Sequence, residues 1–241
     1  MSDEVVTTPF GQFLIDPRDI IGSTLKAGTL WDGPGFLQPI AHEYGRLGEP
    51  GVTILDIGAN IGSFSVWLAH HGAWRVLAVE PVPETMAYLK ANLDLNKDVC
   101  ADRVIPLEVA AYDQLTHLYT PELDRGNLGG TTLYTMPPLG RLDHSVSAFP
   151  LDDFSWTFGS RVSLIKVDTQ GCDGAALMGL ARTLERDHPA LVFEWEADLA
   201  ERHRYTLEQV QRWLELDFGY QVHEWPSHSH NYLATVPHAS R

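Results

Sequence analysis

Two short runs of the chain combine glycine with acidic side chains at the ends of predicted strands. The first is Ile54–Gly62, ILDIGANIG, in which Asp56 follows an apolar run and Gly58, Asn60 and Gly62 come at alternate positions. Glycine adopts left-handed backbone conformations without steric cost and asparagine tolerates them, so the run predicts a tight turn. A helix is predicted to begin directly after the turn, and the N-terminus of a helix presents free backbone N–H groups. The run therefore predicts a ligand-binding loop.

The residue types of this turn distinguish between two kinds of nucleotide ligand. Dinucleotide-binding turns have a glycine where this chain has Asn60, because pyrophosphate needs a close approach of the backbone. Asp56 instead offers a carboxylate that suits the cationic amino-acid portion of S-adenosylmethionine, directly or through water. Glu80 ends the next predicted strand, where an acidic side chain can accept hydrogen bonds from both ribose hydroxyls. We expect S-adenosylmethionine as cofactor; the alternatives are a nicotinamide enzyme, or a glycine turn beside an unrelated surface glutamate.

The second run is Leu164–Asp173, LIKVDTQGCD, at the end of a later predicted strand. Ligands of open α/β sheets bind outside the carboxyl ends of the strands, so Asp168 and Asp56 are expected to face one crevice. Asp168 would orient there either the methionine portion of the cofactor or the acceptor substrate. It is also the first candidate for a general base that removes a proton from that substrate, followed by Glu194 and then Glu196. The alternative for Asp168 is a helix-capping role in an ordinary loop.

These residues need a framework that brings strand ends together. Short apolar runs predict buried parallel strands at Val52–Asp56, Arg75–Glu80, Val104–Ala110, Val162–Asp168 and Ala190–Glu194. Helical periodicity lies between them, at 63–71, 84–96, 173–186 and 206–216, and Tyr220–Trp225 with Asn231–Val236 predicts a terminal hairpin. The alternation implies an α/β fold with a doubly wound, mostly parallel sheet and a C-terminal antiparallel hairpin.

The domain organisation follows from the same pattern. We expect residues 1–50 to form an N-terminal extension or cap packed on the core, and residues 51–241 to form one ligand-binding domain. Glycines and prolines interrupt any period at about 111–161, so this stretch is predicted to be an irregular insertion. It would serve as a lid or acceptor-binding segment, with Trp156 and Phe158 as pocket walls, or it would be a variable surface loop.

Composition excludes several classes of function. The chain has 17 Lys and Arg against 32 Asp and Glu, a formal net charge of −15, which disfavours nucleic acid as a substrate. Cys100 and Cys172 fit no metal spacing, and His228 with His230 lack further ligands, so no metal site is predicted. The N-terminus lacks the positive charge of a signal peptide, and no stretch reaches the roughly 18 apolar residues that span a bilayer. We expect a soluble cytoplasmic protein with a small-molecule acceptor and no membrane partner. A homo-oligomer is possible.

The chain resembles the FkbM family of S-adenosylmethionine-dependent methyltransferases. Three runs carry the resemblance: ILDIGANIGSFS at 54–65, AVEPVPETMAYLKANLDLN at 78–96 and LIKVDTQGCDGAAL at 164–177. It implies a class I methyltransferase with a Rossmann-like fold. By position, it implies cofactor-binding roles for Asp56, Gly58, Asn60, Gly62, Glu80, Asp168 and Gly171. The family usually has a glutamate where this chain has Gln170.

The resemblance also implies a reaction. Relatives O-methylate hydroxyl groups of polyketides or sugars, so we expect O-methylation of a small-molecule natural product, with Asp168 and Glu194 as the candidate catalytic residues. The alternatives are N-methylation of a small-molecule amine, an NAD-dependent oxidoreductase, and an adenosyl-ligand binder without catalytic activity.

Overall fold

The computed structural model describes residues 2–121, 124, 126–136, 142–159 and 161–237. Its strands are β1 Glu4–Thr8, β2 Gly11–Ile15, β3 Val52–Ile57, β4 Arg75–Val79, β5 Val104–Leu107, β6 Ala110–Ala111, β7 Thr116–Pro121, β8 Leu142–Phe149, β9 Arg161–Val167, β10 Ala190–Glu194, β11 Gln221–Glu224 and β12 Asn231–Thr235. Its helices are α1 Ile20–Lys26, α2 Gln38–Tyr44, α3 Ser63–His70, α4 Pro83–Leu95, α5 Lys97–Cys100, α6 Asp173–Met178, α7 Ala181–Asp187, α8 Ala197–Ala200 and α9 Leu207–Phe218.

Seven strands form the central sheet, in the order β11-β12-β10-β9-β3-β4-β5. The five strands from β10 to β5 are parallel to their neighbours, and β12 runs antiparallel to both β10 and β11. The prediction of a doubly wound, mostly parallel sheet with a C-terminal antiparallel hairpin is confirmed. This order places the carboxyl ends of β4, β3, β9 and β10 side by side, about 4.8 Å apart from one strand to the next.

Helices cover both faces of the sheet because the central strands bury alternate side chains on opposite sides. In β3, Ile54 packs in the core on one face, while Leu55 and Ile57 pack in the core on the other. The first core includes the apolar residues of α3, and the second includes apolar residues of α6, α7 and α9. All six residues of β3 are buried, which explains its nearly continuous apolar sequence.

Residues at the two ends of helix α9 determine where it begins and ends. Helix α9 begins at a capping box, in which the Thr206 hydroxyl accepts from the Gln209 backbone N–H and the Gln209 side chain accepts from the Thr206 N–H. It ends at Gly219, whose φ of 74° is left-handed, as glycines after helices often are.

One predicted helix is wrong. The run 173–186 divides into α6 and α7 around Gly179. A Cβ atom at Gly179 would lie 2.1 Å from the carbonyl oxygen of Tyr112, so the chain there passes directly against a distant backbone segment. The break results from this long-range packing, which helical periodicity does not contain.

The predicted irregular insertion is also more regular than expected. Strands β6, β7 and β8 form a second sheet, with β8 pairing parallel to β6 and antiparallel to β7. The single strand predicted at 104–110 accordingly divides into β5 and β6, which belong to different sheets. Pairing is possible because Leu118 and Thr120 of β7 alternate with more exposed residues, as strands do. Pro137, Pro138 and Gly140 lie outside the described residues.

The N-terminal residues pack on helices α3 and α4. Asn92 of α4 and Asn96, which follows that helix, accept hydrogen bonds from the outer edge of β2: their Oδ1 atoms accept from the backbone N–H groups of Leu14 at 2.6 Å and Gln12 at 3.0 Å, respectively. Within the described ranges, none of the helices combines the length and apolar character that crossing a membrane requires.

Candidate active site

A cavity of about 330 Å³ lies at the carboxyl ends of the parallel strands. Each central strand contributes a residue to its wall: Glu80 follows β4, Gly58 follows β3, Asp168 follows β9, Glu194 ends β10 and Asn231 begins β12. The predicted crevice therefore exists, and it extends over most of the width of the sheet.

The glycine-asparagine turn after β3 has the left-handed conformations that its sequence predicts. The φ angles of Gly58, Asn60 and Gly62 are 74°, 52° and 84°. A Cβ atom at Gly58 would lie 1.8 Å from the carbonyl oxygen of Asp168, so glycine is required where the two strand-end loops touch. Gly58 and Asn60 line the cavity, whereas Gly62 packs against Leu89 of α4 and does not.

Glu80 lines the cavity with a carboxylate that is held in place by the protein. Its Oε1 accepts from the Val82 N–H at 2.9 Å and the Thr85 hydroxyl at 2.7 Å, and its Oε2 accepts from the Asn60 N–H at 2.9 Å. Burial raises the pKa of Glu80, and these three hydrogen bonds oppose the increase. A carboxylate has about four acceptor positions, so one remains for a ligand hydroxyl.

Asp56 lies behind the cavity wall and not in it. Its side chain is fully buried, and its Oδ2 accepts from the Ser65 hydroxyl at 2.6 Å. Its Oδ1 lies 3.5 Å from the ammonium of Lys166. The cation that this carboxylate faces therefore belongs to the protein, which corrects the expectation of a direct contact with a ligand.

Lys166, a residue that the sequence reasoning missed, connects the two acidic strand ends. Its Nζ donates to the Gly58 carbonyl at 2.8 Å and lies 3.4 Å from Oδ2 of Asp168. Burial lowers the pKa of Lys166, but Asp168 and Asp56 outweigh burial and raise the pKa above its ordinary value. The available signal was a lysine inside the apolar run LIKVD, two residues before an aspartate.

Asp168 and Glu194 both line the cavity and are bridged by Gln170. The Gln170 Nε2 donates to Asp168 Oδ1 at 3.1 Å and to Glu194 Oε2 at 2.9 Å. Burial, followed by the charges of Asp168 and Asp173, raises the pKa of Glu194 to about 9. The two predicted catalytic residues are therefore brought together.

The loop after β9 is shaped by Asp173, which is buried beneath it. Asp173 accepts from the backbone N–H groups of Thr169 at 3.0 Å and Gly171 at 3.1 Å, and burial raises its pKa to about 6. Gly171 has a φ of 106°, and a Cβ atom there would lie 2.8 Å from Leu199 Cβ. Gly171 thus packs the loop against the segment after β10, and it does not line the cavity.

Residues far from the predicted motifs complete the wall. Trp31, Asp32 and Phe36 come from the N-terminal segment, and residues 127–131 and 133 come from the chain between β7 and β8. Phe36 is held by the C-terminal hairpin, because its ring lies 5.4 Å from the Trp225 ring and 5.3 Å from the His228 ring.

Among the described side chains, the other residues that the sequence suggested as pocket walls or metal ligands are not seen in those roles. Phe158 is fully buried in the core, and the Trp156 side chain lies outside the described ones. His228 stacks on Phe36 and lies 3.8 Å from Asp32. In the part of the chain that the structure describes, no three His, Cys, Asp or Glu side chains are arranged to hold a metal ion.

A comparison with protein families identifies the family of this chain. The model of the methyltransferase FkbM domain matches residues 56–222, which include the loops after β3, β4, β9 and β10. The chain belongs to the FkbM methyltransferase family. The predictions of that family and of a domain for S-adenosylmethionine-dependent methyl transfer are confirmed.

One solved structure supports the fold. An FkbM methyltransferase from Methylobacillus flagellatus KT is 17% identical, with a TM-score of 0.52, over 80% of this chain and 50% of its own. The chain thus spans half the length of that protein, and the likeness confirms the class I methyltransferase fold.

Two further structures have lower TM-scores. Precorrin-6y C5,15-methyltransferase from Geobacter metallireducens GS-15 is 19% identical, covering 82% of this chain and 85% of its own, with a TM-score of 0.43. M. jannaschii TYW2 in complex with AdoMet is 14% identical, covering 96% and 83%, with a TM-score of 0.48. A search of curated protein sequences finds no significant match to the chain.

Proposed function

We propose that the protein transfers the methyl group of S-adenosylmethionine to a hydroxyl group of a small-molecule natural product, such as a polyketide or a sugar. The observation that carries the proposal is the place of Asp168. Asp168 lines the cavity beside the Gly58 turn. The Gln170 side chain joins its carboxylate to that of Glu194, at the end of the neighbouring strand.

The cavity residues fit the cofactor. Glu80 has an acceptor position left for a ribose hydroxyl, and Gly58 and Asn60 let the backbone approach a ligand closely. The lining includes five carboxyl groups and one ammonium, and that ammonium already faces Asp56 and Asp168. An acidic cavity suits a cofactor that carries a sulfonium and an ammonium group.

The chain's own residues supply positioning and proton transfer. When bound, S-adenosylmethionine would supply an electrophilic methyl group with a neutral thioether as leaving group, and the acceptor hydroxyl would give up its proton. Asp168 accepts that proton. Lys166 fixes Asp168 relative to the Gly58 loop, and apolar walls such as Phe36 and Leu128 exclude water.

The size and charge of the site support a small acceptor. The N-terminal segment and the residues around Leu128 contribute to the cavity wall, and a volume of about 330 Å³ is that of a small-molecule pocket. The net charge of −15 opposes an extended polyanion such as a nucleic acid.

A transfer assay with methyl-labelled S-adenosylmethionine tests the proposal. The purified protein is incubated with matched alcohol and amine acceptors of the same carbon skeleton, and the products are identified by mass spectrometry. We expect label on alcohols, and none with Asp168→Asn. Label on amines only would replace O-methylation by N-methylation, and tight cofactor binding without any labelled product would favour a binding protein.

A further inference from the structure

The sheet forces two carboxyl groups into close proximity at the cavity wall. Val167 of β9 and Phe193 of β10 are register partners, so the residues that follow them, Asp168 and Glu194, lie side by side. Neighbouring strands are about 4.8 Å apart, and two ionised carboxylates at such a distance repel each other. A group that donates a hydrogen bond to each carboxyl group relieves this repulsion.

Gln170 is placed to be that group. Its backbone φ of 51° is left-handed, which folds the loop so that the side chain returns toward its own strand end. The amide nitrogen has two hydrogens, and one is donated to Asp168 at 3.1 Å and the other to Glu194 at 2.9 Å. A glutamate at position 170 would place a third carboxyl group between Asp168 and Glu194 and could not donate these two hydrogen bonds when ionised.

The charged surroundings make the two carboxyl groups unequal. Lys166 contacts Asp168 at 3.4 Å, whereas Glu194 has no ion pair in the part of the chain described. The charged groups that face the pair are Lys166 on β9, Asp173 on α6, Glu196 after β10 and Asp32 in the N-terminal segment. All but Lys166 are acidic, and burial together with Asp168 and Asp173 raises the pKa of Glu194 to about 9.

We propose that Gln170 is a positioning residue that bridges Asp168 and Glu194 and thereby makes Asp168 the proton acceptor of the transfer. The inference rests on the proposed function. The amide stabilises negative charge on Asp168 and holds protonated Glu194 beside it as a hydrogen-bond donor. The proton released by the acceptor hydroxyl passes to the Asp168 carboxylate and from there to water, and Glu194 exchanges no proton during turnover.

The variant Gln170→Met removes both donated hydrogen bonds while keeping the length of the side chain. Both carboxyl groups then lose a donor that favours their charged form, so the acid limb of the pH profile of kcat moves upward by about one pH unit. We expect kcat to fall about tenfold at pH values below the acid limb and to change little on the plateau, with the KM for S-adenosylmethionine changed less than about threefold. Gln221→Met, on the exposed edge strand β11, is the matched control.

A second measurement needs no acceptor and therefore separates this inference from the proposed function. The side-chain carboxyl carbons are labelled with ¹³C, the Glu194 signal is assigned by its loss in Glu194→Gln, and its chemical shift is titrated in wild type and variants. We expect Glu194 to titrate near pH 9 in the wild type and higher in Gln170→Met. If Gln170→Met folds poorly, Gln170→Asn, which tolerates the left-handed backbone but has a shorter side chain, replaces it.

The outcomes are distinct. A Glu194 that titrates below pH 6, or a Gln170→Met protein with the wild-type titration and pH profile, overturns the role of Gln170. A failure of every hydroxyl compound to accept label removes the proposed function, while the titration still decides whether Gln170 controls the protonation of this pair.

Discussion

Replacing Lys166 with methionine should cost far more stability than an ordinary lysine substitution. The Lys166 side chain is 10% exposed, and its ammonium lies 3.5 Å from Asp56, which is fully buried, and 3.4 Å from Asp168. Removing one partner of a buried ion pair leaves the other charge uncompensated, which costs about 3–5 kcal/mol. For a chain of this size, that loss lowers the melting temperature by roughly 6–20 °C.

Denaturant titration followed by circular dichroism measures this free energy of unfolding. Lys97→Met, at an exposed lysine of α5, is the control and should change stability by less than about 0.5 kcal/mol. Adding Asp56→Asn to Lys166→Met removes the uncompensated charge, so the double variant should regain much of the loss. A Lys166→Met protein within about 1 kcal/mol of wild type, or a double variant no more stable than the single one, would refute the reasoning.

Three further predictions concern the cavity. Gly58→Ala should weaken S-adenosylmethionine binding at least about tenfold in calorimetry, because its Cβ would lie 1.8 Å from a carbonyl oxygen; unchanged affinity would contradict the turn geometry. Glu80→Ala should weaken binding similarly, while circular dichroism shows a retained fold. Because the pKa of Glu194 is raised to about 9, its contribution to stability is lost as pH rises from about 4.5 to 9; Glu194→Gln should flatten that decline in thermal melts.

The parts of the fold that sequence patterns predict are those with local causes. The turn at Gly58 and Asn60 follows from residue type, and the strands from continuous apolar runs, because each is determined within a few residues. The second sheet was missed because its pairing joins β7 to β8 across a stretch rich in glycine and proline. The break at Gly179 was missed because its cause is the backbone of Tyr112.

The same distinction holds for the site. Glu80, Asp168 and Glu194 were predictable because parallel strands present their ends to one crevice. The burial of Asp56 behind Lys166 was not predictable, because it depends on which cross-strand neighbour fills the space at the strand tip. Phe36 was missed because the rings that hold it, Trp225 and His228, lie near the other end of the chain.

The seating of Phe36 against the terminal hairpin has a consequence for dissecting this protein. The matched family region, 56–222, contains neither Phe36 nor strand β12. A fragment trimmed to those boundaries would lose one wall of its cavity and leave β10, an apolar strand, with an unpaired outer edge prone to aggregation. Any chimera that transplants this catalytic unit must therefore carry both flanking tails with it.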